Sequence, residues 1–290
     1  MPVKNRVGQF ILISLLTTLL TASFLFMAPL GARYLHVSFN RIFYWSFSIL
    51  SAVALLVFFP QWALAQMSVF LLMGLYSELE SQKVSRFYSA LSAVAISVLA
   101  VFFSLSLWSQ LQKIALSTFL KKQIASTVML SPQMKGLSTS VDATQIVSVM
   151  PAFLAFIFMI LVFFGILFVR QEGRQDKLST FKIPEHLVWP LVLALAGTFL
   201  LDVQKVFILQ KIAVNVLFVL LCFYYFQGLA VLGFFMHRAR FNYFLKVAIF
   251  FVLAFHLFAV VVALGISDVW LNYRAKILKN YVKNNPYAGE

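Results

Sequence analysis

The chain has 290 residues, 62% of them hydrophobic and only 11% charged, with a formal net charge of +14. Soluble domains contain about 45–50% apolar and about 25% charged residues, so a water-soluble globule of this size could not cover its surface with so few charges. Lipid tails need no such cover, and the 33 phenylalanines suit helices that face them, so the composition excludes a soluble domain and points to an integral membrane protein.

A helix needs about 20 apolar residues to span the hydrocarbon layer. The first such run, Gly8–Ala32, follows Lys4 and Arg6. It exceeds the apolar core of about 7–15 residues in a cleaved signal peptide and reads as a retained span. Ile42–Phe59 and Trp62–Ser77 come next, separated by Pro60 so tightly that they must form a hairpin. Phe87–Trp108 is the fourth run. In the segment 111–130, Leu111, Ile114, Phe119, Leu120, Ile124 and Val128 recur at near-helical spacing among Lys113, Lys121 and Lys122. That pattern predicts an amphipathic helix lying in the interface, either a surface connector or a lid or partner-docking helix. Ser138–Thr144 is rich in Ser and Thr and reads as loop. Val147–Val169, Leu187–Leu201, Ile212–Met236 and Tyr243–Ile266 complete the set. The third and sixth runs are short enough to be tilted, broken or re-entrant.

The expected architecture is therefore an all-α, polytopic transmembrane helix bundle. It forms a single integral membrane domain over 1–290 with about eight spans (range about seven to nine) and a basic C-terminal tail at 271–290. Basic residues lie between the apolar runs and not along one solvated face, as in loops against anionic headgroups. No soluble basic domain is present that would bind nucleic acid. With eight spans the 23 Lys and Arg divide 12 against 11 between the two sides, so the positive-inside rule gives no orientation. Lys/Arg clusters flank both ends, which places both termini in the cytoplasm.

Polar groups at membrane depth are costly and are functional candidates by default. Asn215 and Gln227 share one predicted span, about 120° apart around the helix, with Gly228 adjacent. They read either as interhelical hydrogen-bonding groups or, for Gln227 with Tyr224 and Tyr225 nearby, as ligand contacts, with Gly228 admitting a close backbone approach. His256, near the middle of the last run, reads as a hydrogen-bonded neutral imidazole or as a proton relay, although no acid shares its helix at depth. Asp268 closes that run ahead of Trp270, Tyr273 and Arg274, an Asp and Arg spaced for a local ion pair at belt depth. Asp202 and Lys205 form a solvated pair after the sixth run.

The single cysteine, Cys222, lies inside an apolar run, so no internal disulfide is possible and it reads as a packing residue. No Cys/His spacing suggests a metal, and no cofactor is expected. Glu185-His186 is not a zinc-protease motif, and there is no Gly-x-Ser-x-Gly elbow and no phosphate-cradling glycine loop. The expectation is a protein that is not an enzyme and does not hydrolyse ATP through such a loop.

Several short motifs resemble the YybS-like family of multi-pass bacterial membrane proteins. They are Pro29-Leu30-Gly31, Phe181-Lys182-Ile183-Pro184 with Trp189-Pro190, Asn215-Val216-Leu217, Tyr225-Phe226-Gln227-Gly228-Leu229-Ala230, and Gly265-Ile266-Ser267-Asp268-Val269-Trp270 with Asn272-Tyr273-Arg274. The family is similar, distantly, to substrate-binding S subunits of energy-coupling-factor transporters. The resemblance implies a bacterial cytoplasmic membrane, a small-molecule ligand held in the bundle, and as partners a coupling membrane subunit and paired ATPases. It makes Gln227, Gly228 and Asn215 pocket or packing residues. Two features depart from the S-subunit pattern: those subunits have about six helices, and the only small-residue pair of docking type in the first run, Ala28 and Ala32, brackets Pro29 and Gly31. A membrane scaffold or assembly factor, with the basic tail and 111–130 as contact surfaces, is the alternative reading.

Overall fold

The computed structural model describes residues 3–23, 27–130, 143–169, 181–200, 207–238 and 256–277, with positions 245, 248, 249 and 252. Every regular element among them is helical. Among the described residues five helices are long and apolar enough to cross a bilayer: Arg41–Phe58, Trp62–Ser81, Arg86–Leu111, Ile146–Ile166 and Ile208–Met236. Three shorter apolar helices, Gly8–Leu19, Glu185–Phe199 and Phe258–Leu271, join them. The result is an all-α membrane helix bundle of about eight spans. The chain gathers into two compact units, Met1–Gln171 and Glu172–Glu290.

Unit 1 contains α1 (Val3–Ser23), α2 (Ala28–Ser38), α3 (Arg41–Phe58), α4 (Pro60–Ser81), α5 (Arg86–Leu111), α6 (Leu116–Leu130) and α7 (Ala143–Phe168). The first apolar run is not the single span expected over Gly8–Ala32. Pro29 stands in the first turn of α2, where its missing N–H costs nothing, whereas inside a continuing helix its ring would clash with the preceding turn. Asn40 caps α3 by accepting the Ile42 N–H at 3.1 Å. Pro60 opens α4 after an extended Phe59, which produces the predicted hairpin. α4 is the centre of the unit, packing on α1, α2, α3, α5 and α7 and burying Val69, Phe70, Leu72, Met73 and Tyr76. α3 keeps Ile42, Phe43, Ile49, Leu50, Val53 and Phe58 exposed on its outer surface, as lipid requires.

The amphipathic helix starts at Leu116 and not at 111. Residues before it belong to the end of α5, which Lys113 closes in the left-handed region (φ 56°). The Ile114 N–H returns to the Ser109 carbonyl, a terminating loop of Schellman type. α6 then turns Phe119 and Leu120 inward towards α5 and α7. Lys83 closes α4 in the same way (φ 61°), with the Val84 N–H on the Leu79 carbonyl.

Unit 2 contains a 3-10 turn (Glu185–Leu187), α8 (Val188–Leu200), α9 (Phe207–Arg238) and α10 (Phe258–Leu271). α9 packs against both α8 and α10. The run expected as one span over Tyr243–Ile266 is interrupted at the non-helical Leu257 and continues to Leu271, five residues beyond its predicted end. Asp202 and Lys205 lie outside the described residues, as do Ser138–Asp142 of the predicted loop and the tail from residue 278.

Candidate functional sites

In unit 1 the chain folds so that α2 ends, α3 begins, α4 ends and α5 begins at one end of the bundle. This brings together charges far apart in sequence. Arg33 of α2 is fully buried and donates from Nη2 to Glu80 Oε2 of α4 at 2.8 Å. Arg86, in the first turn of α5, places Nε 3.7 Å from Glu80 Oε1, and the Tyr76 hydroxyl donates to the same oxygen at 3.4 Å. The Arg33 guanidinium lies 5.2 Å from the centre of the Tyr76 ring, within cation–π range. Its Nε and Nη1 have no acceptor among the described residues.

Two residues along α4, Glu78 gathers a second set. Arg41 Nε lies at 3.0 Å and His36 Nε2 at 3.4 Å from its Oε1, and Trp45 donates its indole N–H to that oxygen at 3.3 Å. Burial holds the His36 imidazole below its usual pKa, against the pull of Glu78 in the other direction. Among the described residues three guanidiniums thus face two carboxylates. Further along, Gln66 of α4 donates to Thr18 of α1 at 3.2 Å and to Ser51 of α3 at 3.5 Å, and its carbonyl oxygen has no partner among the described residues.

Unit 2 brings together three of the residues singled out in the sequence. Gln227 on α9 is fully buried and engaged at both ends of its carboxamide. Its Oε1 accepts the Ile183 N–H at 2.9 Å and its Nε2 donates to Asp268 Oδ2 at 3.2 Å. Arg274 donates from Nη2 to the same carboxylate oxygen at 2.7 Å and from Nη1 to the Phe181 carbonyl at 2.8 Å. Asp268 Oδ1 accepts the Tyr273 N–H at 3.1 Å. The chain can turn back this sharply because Asn272 adopts a left-handed conformation (φ 46°), which its short polar side chain tolerates. One carboxylate and one carboxamide therefore tie α9, α10 and the 181–183 strand of backbone together.

Gly228 and Gly265 place α9 and α10 in backbone contact. A Cβ on Gly228 would strike the Val261 carbonyl, and one on Gly265 would strike the Tyr224 carbonyl. Tyr224 is fully buried and its hydroxyl has no partner among the described residues. The other residues are not part of this group. Asn215 lies about 18 Å along α9 from Gln227 and donates to the Lys211 carbonyl of its own helix at 2.8 Å. His256 is exposed just before α10. Among the described residues no group of three or more His, Cys, Asp or Glu could hold a metal.

Sequence reasoning passed over Arg33, Glu78, Glu80 and Arg86, treating the arginines as loop charges in the sidedness count. A signal was available: Glu78 and Glu80 are the only acids before residue 142, and a carboxylate in so basic and apolar a stretch has to be paired.

Helices of this length and apolarity, with their charges paired in the interior, define a multi-pass α-helical membrane protein. The chain belongs to the family described as "Predicted membrane protein (DUF2232)", whose model matches residues 9–269. That match includes Arg33, Glu80, Gln227 and Asp268. No curated protein and no solved structure matches the chain.

Proposed function

We propose that this protein is a substrate-binding or transport-associated component of a bacterial cytoplasmic membrane that draws energy from partner proteins. The observation that carries this reading is the Arg33–Glu80–Arg86 group with Tyr76. A fully buried arginine with two guanidinium nitrogens that no described residue engages is costly to keep in an apolar bundle, and such residues mark substrate or ion pathways. Among the described residues guanidinium outnumbers carboxylate around Arg33, which favours an anionic substrate group. The resemblance to S subunits of energy-coupling-factor transporters, and the lack of a phosphate-cradling glycine loop in the sequence, support a partner that supplies ATP hydrolysis. In unit 2, the two-ended engagement of Gln227 supports its reading as an interhelical tie, with Gly228 as a packing residue.

The alternative, a scaffold or assembly factor, is favoured by that same closure of unit 2, where Gln227, Asp268 and Arg274 satisfy one another. Purification of the tagged full-length protein from its native membrane in mild detergent, followed by mass spectrometry of co-purifying proteins, separates the two. Stoichiometric recovery of a membrane coupling subunit with paired ATPases is expected. Recovery of other proteins with no ATPase would overturn the transport reading in favour of the scaffold.

A further inference from the structure

A groove of about 500 Å³ opens in unit 2 between the start of α8 and the end of α10, lined by Glu185, His186, Val188, Trp189, Val192 and Trp270. We propose that it holds the ammonium group of an aminophospholipid headgroup, of the ethanolamine or choline type. This goes beyond the function proposed above and does not depend on it.

The charge of the lining is the first argument. The chain has 23 Lys and Arg against 9 Asp and Glu, yet among the described residues the groove includes an acid and no Lys or Arg. Glu185 is exposed, and no described residue makes a hydrogen bond or ion pair with its carboxylate. Two amides of the segment are already spent, the Leu187 N–H on the Pro184 carbonyl at 3.1 Å and the Val188 N–H on the carbonyls of Glu185 and His186.

The indoles are the second argument. Trp189 is 71% and Trp270 65% exposed, and two indoles lining one groove with a carboxylate are the chemistry that recognises an organic ammonium through cation–π attraction and charge. Depth is the third. α8 begins at Val188 and α10 ends at Leu271, so the groove lies where two apolar helices stop. Headgroups occupy that level of a bilayer, and tryptophans mark it. The position selects a lipid headgroup over a soluble amine.

The test is native mass spectrometry of the full-length protein in detergent, titrated with dioleoyl phosphatidylethanolamine or dioleoyl phosphatidylglycerol. The expected result is retention of the first ethanolamine lipid about two- to fivefold above the glycerol lipid, with the preference lost in Glu185→Gln and reduced in Trp270→Leu. Glu185 is exposed, so its isosteric replacement leaves the fold intact, and labelling of the buried Cys222 verifies this. Equal retention of the two lipids, a glycerol-lipid preference, or a preference that survives Glu185→Gln would each overturn the proposal. Displacement of the bound lipid by soluble glycerophosphoethanolamine at matching concentration would overturn the lipid as the source of the ammonium.

Discussion

Arg33 and Glu80 are both fully buried and lie 2.8 Å apart, so each removes most of the other's desolvation cost. Taking away one partner leaves an uncompensated charge, which costs about 3–5 kcal/mol. Arg33→Met is therefore expected to destabilise unit 1 by roughly that amount in denaturant unfolding monitored in detergent. The double variant Arg33→Met, Glu80→Gln is expected to recover much of the loss, because Arg86 is the least buried of the three. A double variant no better than the single one would mean that the pair itself, and not the stranded charge, supplies the stability. His36 gives a pH signature at the same end of the bundle. Burial lowers its pKa in the fold below the ordinary 6.5, so above that value the imidazole is neutral in both folded and unfolded chains. As pH falls below it, the unfolded chain takes up the proton first. Stability is lost with acidification, although Glu78 moderates the loss and Arg41 and Arg33 deepen it. His36→Gln is expected to flatten the change in unfolding midpoint between pH 7.5 and 5.5, and an unchanged slope would assign the effect to other groups.

At the scale of elements, α9 and α10 cross with Gly228 and Gly265 facing each other's backbone. Gly228→Ala would meet the Val261 backbone carbonyl first, which cannot swing aside as a flexible side chain would, and the Val261 Cγ1 beside it. Overpacking of this kind costs about 1–3 kcal/mol, measurable as a lowered thermal midpoint of the purified protein. Its neighbour Gly233, with open space around its Cα, is the control expected to tolerate alanine. The opposite sign is expected at the end of α5. Lys113 holds a left-handed conformation that glycine adopts freely, so Lys113→Gly is expected to stabilise by up to about 1 kcal/mol. The hairpin at Pro60 was legible in the sequence because proline acts locally and its effect does not depend on what packs around it. The break before Pro29 was obscured because the apolar run continues through it. Hydropathy records where a segment lies, not whether its helix is continuous. Similarly, the near-helical spacing from Leu111 gave no warning that Lys113 ends one helix before the next begins.

For the molecule as a whole, composition carried the membrane class and the helix count, since both follow from the length and apolarity of runs. The candidate sites were half legible. Asp268 and Arg274 are six residues apart, and Gln227 stands out as a carboxamide in an apolar helix. Their meeting with the 181–183 backbone depends on contacts across more than forty residues, which no local pattern encodes. The Arg33–Glu80 pair was hidden for the same reason, its partners lying in different helices. The division into Met1–Gln171 and Glu172–Glu290 has a consequence that the lone cysteine can read. Cys222 is buried in α9 of unit 2, and every residue of the Arg33 group lies in unit 1. A membrane-permeant maleimide should label Cys222 only when unit 2 opens. If each unit holds its own core, Arg33→Met lowers the stability of unit 1 while the labelling rate of Cys222 stays at its wild-type value. Gly228→Ala, by contrast, raises that rate by loosening the α9–α10 crossing. Acceleration of Cys222 labelling by Arg33→Met to the extent of its stability loss would show that the two units open as one cooperative body.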